Sequence, residues 1–461
     1  MATLASDPSM LRLPNGRYGH PNSRQVRLAV YGIQFLLDFA AIYIAERIAS
    51  GMHITDHMAG HLDPVMMMLF PAYALIAFLI NCYSFDAMMS ATRSLTRMAS
   101  SLALSFGLIL VFTFALGQEH TLSRPEMFKT GLFALALLTM VRPPMLLLVR
   151  RLGNAFLARL LIIDGQPATT SAEFEVLDAR EAGLTPDLRN PHMLDAFAAL
   201  VHGYDRVVVS CPAERRESWA IYLKGSGCWG QLLIPELHAI AYSGGAGGMA
   251  PGIVVSVGPL NMRNRILKRI FDLSIAVPAV IALSPLLFLT ALVIKLESAG
   301  PILFRQRRMG RGNQMFHVYK FRSMRVECSD ADGNRSASRD DDRITRVGRI
   351  IRATSIDELP QLFNVILGDM SLVGPRPHAL GSLAGERLFW HVDQRYWLRH
   401  ALKPGITGLA QVRGYRGATD REEDLVNRLQ SDLEYVSDWS IVGDISILVR
   451  TAVVLAHKNA Y

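Results

Sequence analysis

Residues 273–294 read LSIAVPAVIALSPLLFLTALVI, a run of 22 residues without a charged side chain. The run is long enough for a membrane-crossing helix, which needs about 20 apolar residues. At its centre Pro285 follows Ser284, and a proline inside a helix removes a backbone hydrogen bond and breaks or kinks the helix. Each half would reach only about 17 Å, roughly one leaflet of a bilayer.

Positive charge flanks this run on both sides. The basic residues are Arg263, Arg265, Lys268 and Arg269 before it, and Lys295, Arg305, Arg307 and Arg308 after it. Because Lys and Arg favour the cytoplasmic side of a membrane, both ends of the run are expected there. We therefore predict a re-entrant hairpin over residues 273–294, entering and leaving by the same leaflet, in preference to a kinked helix that crosses the membrane.

Four further apolar runs precede residue 150. They cover residues 28–45, 64–82, 98–117 and 130–149. Each is close to the length of a span, so we predict four transmembrane helices within residues 28–149. Arginines in the tail 1–27, which does not resemble a cleaved signal peptide, and after the last run place both ends of this unit in the cytoplasm. Asp38 and Arg142 interrupt the runs and are expected to be partners inside the bundle.

Composition agrees with a membrane protein. Of 461 residues, 50% are hydrophobic and 19% are charged, against about 25% charged in soluble domains. The net charge of +8 indicates anionic lipid or phosphorylated ligands rather than nucleic acid, because long Lys/Arg tracts are absent. The four cysteines are scattered, which argues against a disulfide framework and against a zinc site.

Residues 150–258 predict a small α/β domain. Strand-like segments lie at residues 159–164, 206–210, 231–234 and 252–257, with helical segments at 191–201 and 213–223. The motif from Gly225 to Gly230 matches G-x-G-x-x-G, but a helix precedes it and a strand follows, the reverse of a nucleotide-binding turn. A structural or regulatory module is therefore favoured over nucleotide binding.

The segment after residue 300 is strongly basic. Residues 301–325 contain no acid and seven basic side chains: Arg305, Arg307, Arg308, Arg311, Lys320, Arg322 and Arg325. This pattern suits either lipid headgroups or a diphosphate, which arginine binds with paired hydrogen bonds. The composition leaves both interpretations open.

An acid pair, Asp357 and Glu358, follows in the sequence between Arg352 and Arg376. One interpretation is a helix-capping box that begins at Ser355, although Pro360 would interrupt such a helix. The other is phosphoryl chemistry, in which one carboxylate attacks phosphorus and another helps to hold Mg²⁺. The residues alone support the capping-box interpretation and the phosphoryl-chemistry interpretation equally.

Near the C-terminus, a glycine-punctuated basic loop contains Lys403, Gln411 and Arg416 and is either a plain loop or a phosphate-binding one. Residues 439–457 are apolar but broken by two charges, which predicts an amphipathic helix on the membrane surface.

Six motifs in order now carry a family resemblance. They are Lys268-Arg-Ile-Phe-Asp272, Ser284-Pro285, Lys320-Phe-Arg-Ser-Met324, Ser355-Ile-Asp-Glu-Leu-Pro-Gln361, Gly374-Pro-Arg-Pro377 and Lys403-Pro-Gly-Ile-Thr-Gly408. Residues 262–461 resemble the bacterial sugar transferases, the monotopic phosphoglycosyl transferases. The whole layout is similar to the large polyprenyl-phosphate hexose-1-phosphate transferases, most of all the undecaprenyl-phosphate glucose phosphotransferases.

The resemblance implies a four-helix transmembrane bundle, a Rossmann-like α/β domain and a monotopic, mainly α catalytic domain with a re-entrant helix hairpin. It implies that Asp357 attacks a UDP-sugar and that Glu358, with Asp357, holds Mg²⁺. The predicted substrate-binding and phosphate-binding residues are Arg352, Arg376, Lys320, Arg322, Arg308, Gln361, Lys403, Gln411 and Arg416. The predicted hairpin residues are Lys268, Arg269, Asp272, Ser284 and Pro285.

The implied function is transfer of hexose-1-phosphate, with glucose favoured, from a UDP-sugar to undecaprenyl phosphate at the start of exopolysaccharide or capsule synthesis. The implied location is the bacterial inner membrane, with lipid contacts, an active site on the cytoplasmic face and no nucleic-acid partner; a homodimer is left open. The alternatives are a galactose-1-phosphate transferase, a membrane-bound sugar-nucleotide epimerase or dehydratase, and a non-enzymatic assembly scaffold. An epimerase would need a strand-led glycine motif and a Tyr-x-x-x-Lys pair, and the sequence has neither.

Overall fold

Two units make up the structure, one of residues 20–158 and one that contains residues 159–461. The predicted α/β and catalytic domains both belong to the second unit. The computed structural model describes residues 23–51, 64–115, 124–168, 173–239, 251–325, 343–415, 417 and 419–456.

The first unit is helical. Its helices are α1 (Ser23–Ala49), α2 (Pro64–Leu79), α3 (Phe85–Met89), α4 (Ala91–Ala115) and α5 (Arg124–Leu152). In α1, α4 and α5 the chain is long and apolar enough to cross a membrane. These helices contain three of the four predicted spans.

The second predicted span is shorter than expected. Within the described residues α2 has 16 residues and ends at Leu79, because Asn81 takes a positive φ of 59° and turns the chain. A helix of that length falls below the roughly 20 residues that a perpendicular crossing needs. The fourth helix that is long and apolar enough to cross a bilayer covers residues 263–297 instead.

A buried polar cluster joins α1, α2 and α5. Arg142 Nη2 lies 2.8 Å from Asp38 Oδ2, which confirms the predicted pairing. The hydroxyls of Tyr73 and Tyr83 donate to the same Asp38 oxygen, and Gln34 Nε2 donates to the other at 2.6 Å. Because a charge inside a bilayer is costly, this set of donors explains how Asp38 is tolerated there.

The α/β domain forms a five-stranded sheet in the order β2-β1-β3-β4-β5. Strands β1 to β4 are parallel and β5 is antiparallel to β4. The elements are β1 (Arg159–Ile163), β2 (Glu175–Asp178), α6 (Pro191–Val201), β3 (Arg206–Ser210), α7 (Arg216–Ser226), β4 (Trp229–Leu233) and β5 (Gly252–Ser256). The sequence did not predict β2, because that edge strand is only four residues long and its first and last residues are acids.

In the residues that the structure describes, the catalytic domain is mainly helical and has three two-stranded sheets. The β6–β7 and β9–β10 pairs are antiparallel, and β8 pairs with β11 in parallel. The elements are α8 (Met262–Glu297), β6 (Leu303–Met309), β7 (Met315–Phe321), α9 (Arg346–Ala353), α10 (Gln361–Leu367), β8 (Ser371–Val373), β9 (Leu383–Ala384), β10 (Arg387–Leu388), α11 (Phe389–Val392), β11 (Gly405–Thr407), α12 (Leu409–Val412), α13 (Glu422–Ser437) and α14 (Ile441–Ala456).

Helix α8 lacks the turn that was predicted at the centre of the hairpin. It runs for 36 residues without a break in its helical assignment, with Pro278 and Pro285 inside it. Ser284 Oγ donates to Ile281 O at 2.8 Å, as hydroxyls do within a helix. A proline removes one backbone hydrogen bond and bends a helix. Packing of one face of α8 against the domain compensates for that lost hydrogen bond. Two half-helices joined by a turn are therefore not what the chain forms.

One face of α8 packs on the catalytic domain along most of the helix. Ala276, Leu287 and Ile294 are buried in two hydrophobic clusters, whereas Ile281 and Phe288 on the other face are 68% and 73% exposed. A long helix with one face against protein and an apolar opposite face is suited to contact with lipid.

Three side chains near the start of α8 fix it to the domain. Lys268 Nζ donates to Val373 O and to Asp444 Oδ2, at 3.0 and 2.7 Å. Asp272 accepts from the backbone N–H of Leu372 at 3.0 Å. Arg269 caps the end of α10, because both of its terminal nitrogens donate to carbonyls there at 2.6 Å. Three of the five predicted hairpin residues thus lie at the junction of α8 and the core, whereas Ser284 and Pro285 are exposed in the middle of the helix.

Helix α14 carries an exposed apolar stripe. Val442, Ile445, Val449 and Val453 are 47–70% exposed, while Asp444 on the other face is buried. The predicted amphipathic helix is therefore present. Its placement on a membrane surface stays a prediction.

Candidate active site

The acid pair lies at the junction between α9 and α10. Ser355 takes a left-handed backbone conformation, with φ of 56°, and a single 3₁₀ turn over Ile356–Glu358 follows. Residues other than glycine rarely adopt this conformation, and such strain is concentrated at functional sites. Pro360 stands just before α10, where its missing N–H costs no helical bond.

The capping-box interpretation of this segment is wrong. Ser355 makes no side-chain capping bond. The Glu358 side chain instead accepts from Lys320 Nζ at 2.8 Å and from Arg376 Nη2 at 2.6 Å. Lys320 comes from β7 and Arg376 from the loop after β8, so three separate elements build the cluster.

Both cations bind the same oxygen of Glu358, Oε1. Among the described residues, Oε2 accepts no hydrogen bond. Burial alone would raise the pKa of Glu358, but Arg376 and Lys320 outweigh it and hold that pKa well below its usual range. Glu358 is therefore an ionised carboxylate with one oxygen available.

The Asp357 carboxylate differs from that of Glu358 in its hydrogen bonding and in the direction of its pKa shift. Its carboxylate is half-buried and accepts no hydrogen bond from the described residues. Burial raises the pKa of Asp357 to about 6, with Lys320 acting against the rise and Glu358 adding to it. A partly desolvated, unbonded carboxylate that is ionised at neutral pH is a suitable nucleophile.

The same two carboxylates fit a magnesium ion. Mg²⁺ is usually held by one or two protein carboxylates together with substrate phosphates and water. Glu358 Oε2 and the Asp357 oxygens have no protein donors in the described part of the chain, so they are available as oxygen ligands. Within the described ranges, no three His, Cys, Asp or Glu side chains lie close enough together to hold a metal ion.

Two more predicted basic residues lie near the acid pair. Arg308 Nη1 donates to Pro377 O, and burial, followed by the charge on Arg376, lowers the pKa of Arg308 to about 10. The charge on Arg352, at the end of α9, acts to lower the pKa of Asp357. Together with Lys320 and Arg376, they surround the carboxylates with four cations.

Other predicted residues lie elsewhere or have structural contacts. Arg322 donates to Ser298 O at 2.7 Å and to Ala299 O at 2.8 Å, so it caps the end of α8 rather than facing the acid pair. A Cβ on Gly368 would lie 3.5 Å from Lys403 Nζ and 3.7 Å from Arg269 Nη2, which places Lys403 beside the start of α8. Burial and the charge on Arg269 lower the pKa of Lys403 to about 8.

Gln361 and Gln411 both lie in the core around the site. Gln361 is buried at the start of α10, three residues after Glu358. Gln411 lines a small recess with Arg376 and His378, and its Oε1 has no hydrogen-bond partner in the described part of the chain. Arg416 lies outside the described residues.

Sequence reasoning missed a buried group behind Arg376. Arg399, 1% exposed, donates to Asp432 Oδ2 at 2.6 Å and to Arg376 O at 2.8 Å. It also approaches His378 Nδ1 at 3.1 Å, and because arginine only donates, the His378 proton is assigned to Nε2. The burial of an arginine produces no recognisable sequence pattern. The only indication of Arg399 in the sequence was its position shortly before the Lys403 motif.

Comparison with known proteins identifies the family of this domain. Residues 263–458 match the bacterial sugar transferase family. A protein of Rhizobium leguminosarum bv. phaseoli named "Exopolysaccharide production protein PSS" is 50% identical over 188 residues, which cover 41% of this chain and 94% of that protein.

Two longer relatives are named for their reactions. The "Undecaprenyl-phosphate glucose phosphotransferase" of Komagataeibacter xylinus is 52% identical over 193 residues, or 42% of this chain and 36% of that protein. The "UDP-glucose:undecaprenyl-phosphate glucose-1-phosphate transferase" of Escherichia coli K12 is 39% identical over 275 residues, 58% of this chain and 57% of that protein. The chain thus spans between about a third and three fifths of the length of these two relatives.

The family match covers the candidate active site. The family match contains the acid pair and all four cations around it, and nearly the whole Rhizobium protein aligns with this chain. The chain therefore belongs to the bacterial sugar transferase family.

Proposed function

We propose that this protein transfers hexose-1-phosphate from a UDP-sugar to undecaprenyl phosphate through a covalent intermediate on Asp357. One observation carries the proposal: the Asp357 carboxylate accepts no hydrogen bond in the described structure, beside a Glu358 that two cations hold in place. The names of the Komagataeibacter and Escherichia relatives support the substrates.

In the first step, an Asp357 oxygen attacks the phosphorus that bears the sugar. A bond forms between that oxygen and phosphorus, and the bond from phosphorus to the bridging oxygen of UMP breaks. UMP leaves with that oxygen and its electron pair. Arg376 and Lys320 stabilise charge that develops on the phosphate oxygens, an effect that is strong in a partly desolvated site.

In the second step, an oxygen of undecaprenyl phosphate attacks the same phosphorus. The bond between phosphorus and Asp357 breaks, the carboxylate is regenerated, and undecaprenyl-diphospho-sugar forms. Glu358 Oε2, with Asp357, would hold Mg²⁺, which when bound neutralises phosphate charge. Neither step needs a proton transfer, which agrees with a site rich in arginine and poor in neutral bases.

The path of α8 fits the lipid substrate. Lys268 ties the start of the helix to the catalytic core, and Arg322 binds Ser298 O just past its end. Because both ends contact one domain, we propose that α8 enters and leaves the membrane on the same side, as a bent re-entrant helix. The catalytic face then lies in the cytoplasm of a bacterium, at the inner membrane, where UDP-sugars are found.

The sugar is proposed to be glucose, because several relatives are named for UDP-glucose. An Aeromonas hydrophila relative that is 44% identical is named for N-acetylgalactosamine, so the family accepts more than one sugar and galactose is the second candidate. The name of the Rhizobium relative supports a role in exopolysaccharide production.

Release of UMP tests this function. Purified protein in nanodiscs with UDP-glucose, undecaprenyl phosphate and Mg²⁺ should release UMP, and a panel of UDP-sugars should rank glucose first. Asp357→Asn should abolish release, whereas Asp369→Asn, at an exposed carboxylate in the same domain, should not. Wild-type turnover in Asp357→Asn would rule out the covalent route.

A further inference from the structure

The glycine motif that ends α7 has a packing role. A Cβ on Gly225 would lie 2.3 Å from Asn313 Nδ2 and 3.2 Å from Trp397 O. Glycine weakens a helix interior, so its presence in α7 requires another cause. That cause is the close approach of the α/β domain to the catalytic domain at the turn between β6 and β7.

Other contacts hold the two domains together at this point. Trp397 is fully buried, and its indole N–H donates to Leu188 O of the α/β domain at 2.9 Å. Asp195 of α6 accepts from the backbone N–H of Met315 at 2.7 Å. The 3₁₀ segment Gln394–Ala401, which carries Trp397, is thus fixed from the α/β side.

The same segment reaches the active site two residues later. Arg399 donates to the backbone carbonyl of Arg376 at 2.8 Å, while Asp432 holds Arg399 from α13 at 2.6 Å. The Arg376 side chain in turn donates to Glu358 Oε1 at 2.6 Å. A continuous series of buried and partly buried contacts therefore runs from α7 to the acid pair.

We propose that the α/β domain positions Arg376 against Glu358, with Trp397 and Arg399 as the positioning residues. This role rests on the proposed function only in taking the acid pair as the reacting centre. It gives the α/β domain a task that needs no nucleotide. Misplacement of a catalytic group by about 1 Å costs up to about 100-fold in rate, so small shifts of this segment matter.

Gly225→Ala in the full-length protein tests the proposal. The added methyl should push against Asn313, shift the segment and lower kcat about tenfold while KM for UDP-glucose stays within about twofold. Asn313→Gly removes the clashing amide at a residue whose φ of 62° suits glycine, so it should restore Gly225→Ala to the rate of Asn313→Gly alone. Lys224→Ala, at an exposed neighbour on α7, is the matched control.

A second readout does not depend on turnover. Carbodiimide activates carboxyl groups that it can reach, and in the wild type the Glu358 side chain is only 16% exposed, with Oε1 bound by Arg376 and Lys320. At pH 5, labelling of Glu358, measured by peptide mass spectrometry, should rise in Gly225→Ala and in Trp397→Phe, which loses the indole donor and one ring of a fully buried side chain. Arg399→Lys should behave similarly because lysine cannot bridge Asp432 and the Arg376 carbonyl with the same fork.

These measurements distinguish a positioning role of the α/β domain from a purely structural one. Lower kcat, unchanged KM, higher Glu358 labelling and rescue by Asn313→Gly would support positioning. A lower melting temperature with wild-type kcat and wild-type labelling in both Gly225→Ala and Trp397→Phe would overturn it. If the wild type releases no UMP, the proposed function fails, and the labelling of Glu358 alone then decides whether the α/β domain positions Arg376.

Discussion

Arg376 Nη2 donates to Glu358 Oε1 at 2.6 Å, on the same oxygen that Lys320 Nζ binds at 2.8 Å. The pairing leaves Glu358 charged, with its second oxygen without a donor in the described structure. Asp357, the adjacent residue, has no such bond and keeps a raised pKa. The surroundings of two neighbouring carboxylates thus shift their pKa values in opposite directions.

Loss of the Glu358 charge should disable the site. Glu358→Gln keeps the size of the side chain but leaves Arg376 and Lys320 without an anion and removes a metal ligand. We expect kcat to fall about 100- to 1,000-fold, as for removal of other electrostatic groups, and the Mg²⁺ concentration for half-maximal rate to rise. Glu386→Gln, at an exposed glutamate, should match the wild type. A normal rate in Glu358→Gln would show that this carboxylate has no catalytic part.

The pH profile should report Asp357. Only the ionised carboxylate attacks, and its pKa is about 6, so kcat/KM should rise with pH up to about 6 and level off above it. The Lys320 charge lowers the pKa of Asp357, so Lys320→Gln should move this limb to higher pH. Pre-steady-state UMP release between pH 5 and 8 measures both. A limb that does not move in Lys320→Gln would assign it to another group.

The acid pair was predictable from sequence because its motif is local. Ser355 to Gln361 lie together in the chain, and the choice between capping and catalysis was all that remained. The structure excludes the capping box, because Glu358 instead binds Lys320 and Arg376, which are distant from it in sequence and leave no local pattern.

The rest depends on packing that sequence patterns do not encode. Arg322 lies in a basic segment that predicts phosphate binding, but its side chain caps the end of α8. Arg399 belongs to no motif, but its side chain donates to the backbone carbonyl of Arg376. The Ser284-Pro285 pair predicted a break, yet tertiary contacts along one face keep α8 helical. In each case, contacts between residues distant in sequence decide the outcome, and a local sequence pattern does not show them.

The buried pair in the membrane unit should matter for stability. Asp38→Asn would leave Arg142 without its anion inside the bundle, and breaking a buried pair costs about 3 to 5 kcal/mol. We expect a clear fall in the melting temperature in detergent. Tyr83→Phe, which removes one of several donors to Asp38, should cost only about 1 kcal/mol. Equal melting temperatures for the wild type and Asp38→Asn would mean that the pair contributes nothing.

Cysteine accessibility should reveal the path of α8. Leu267→Cys and Leu296→Cys place thiols at its two ends, where both leucines are exposed, in a background without the native cysteines. A membrane-impermeant maleimide should label both positions from the cytoplasmic side of oriented vesicles. Labelling of one position only from the opposite side would establish a crossing helix and a different location for the active site.

The covalent intermediate is the most direct test of the central claim. The protein, incubated with UDP-glucose and Mg²⁺ without undecaprenyl phosphate, should release one equivalent of UMP and retain a hexose-phosphate adduct. Peptide mass spectrometry should place that adduct on Asp357, and adding undecaprenyl phosphate should remove it. UMP release without an adduct, or an adduct on any other residue, would contradict the account.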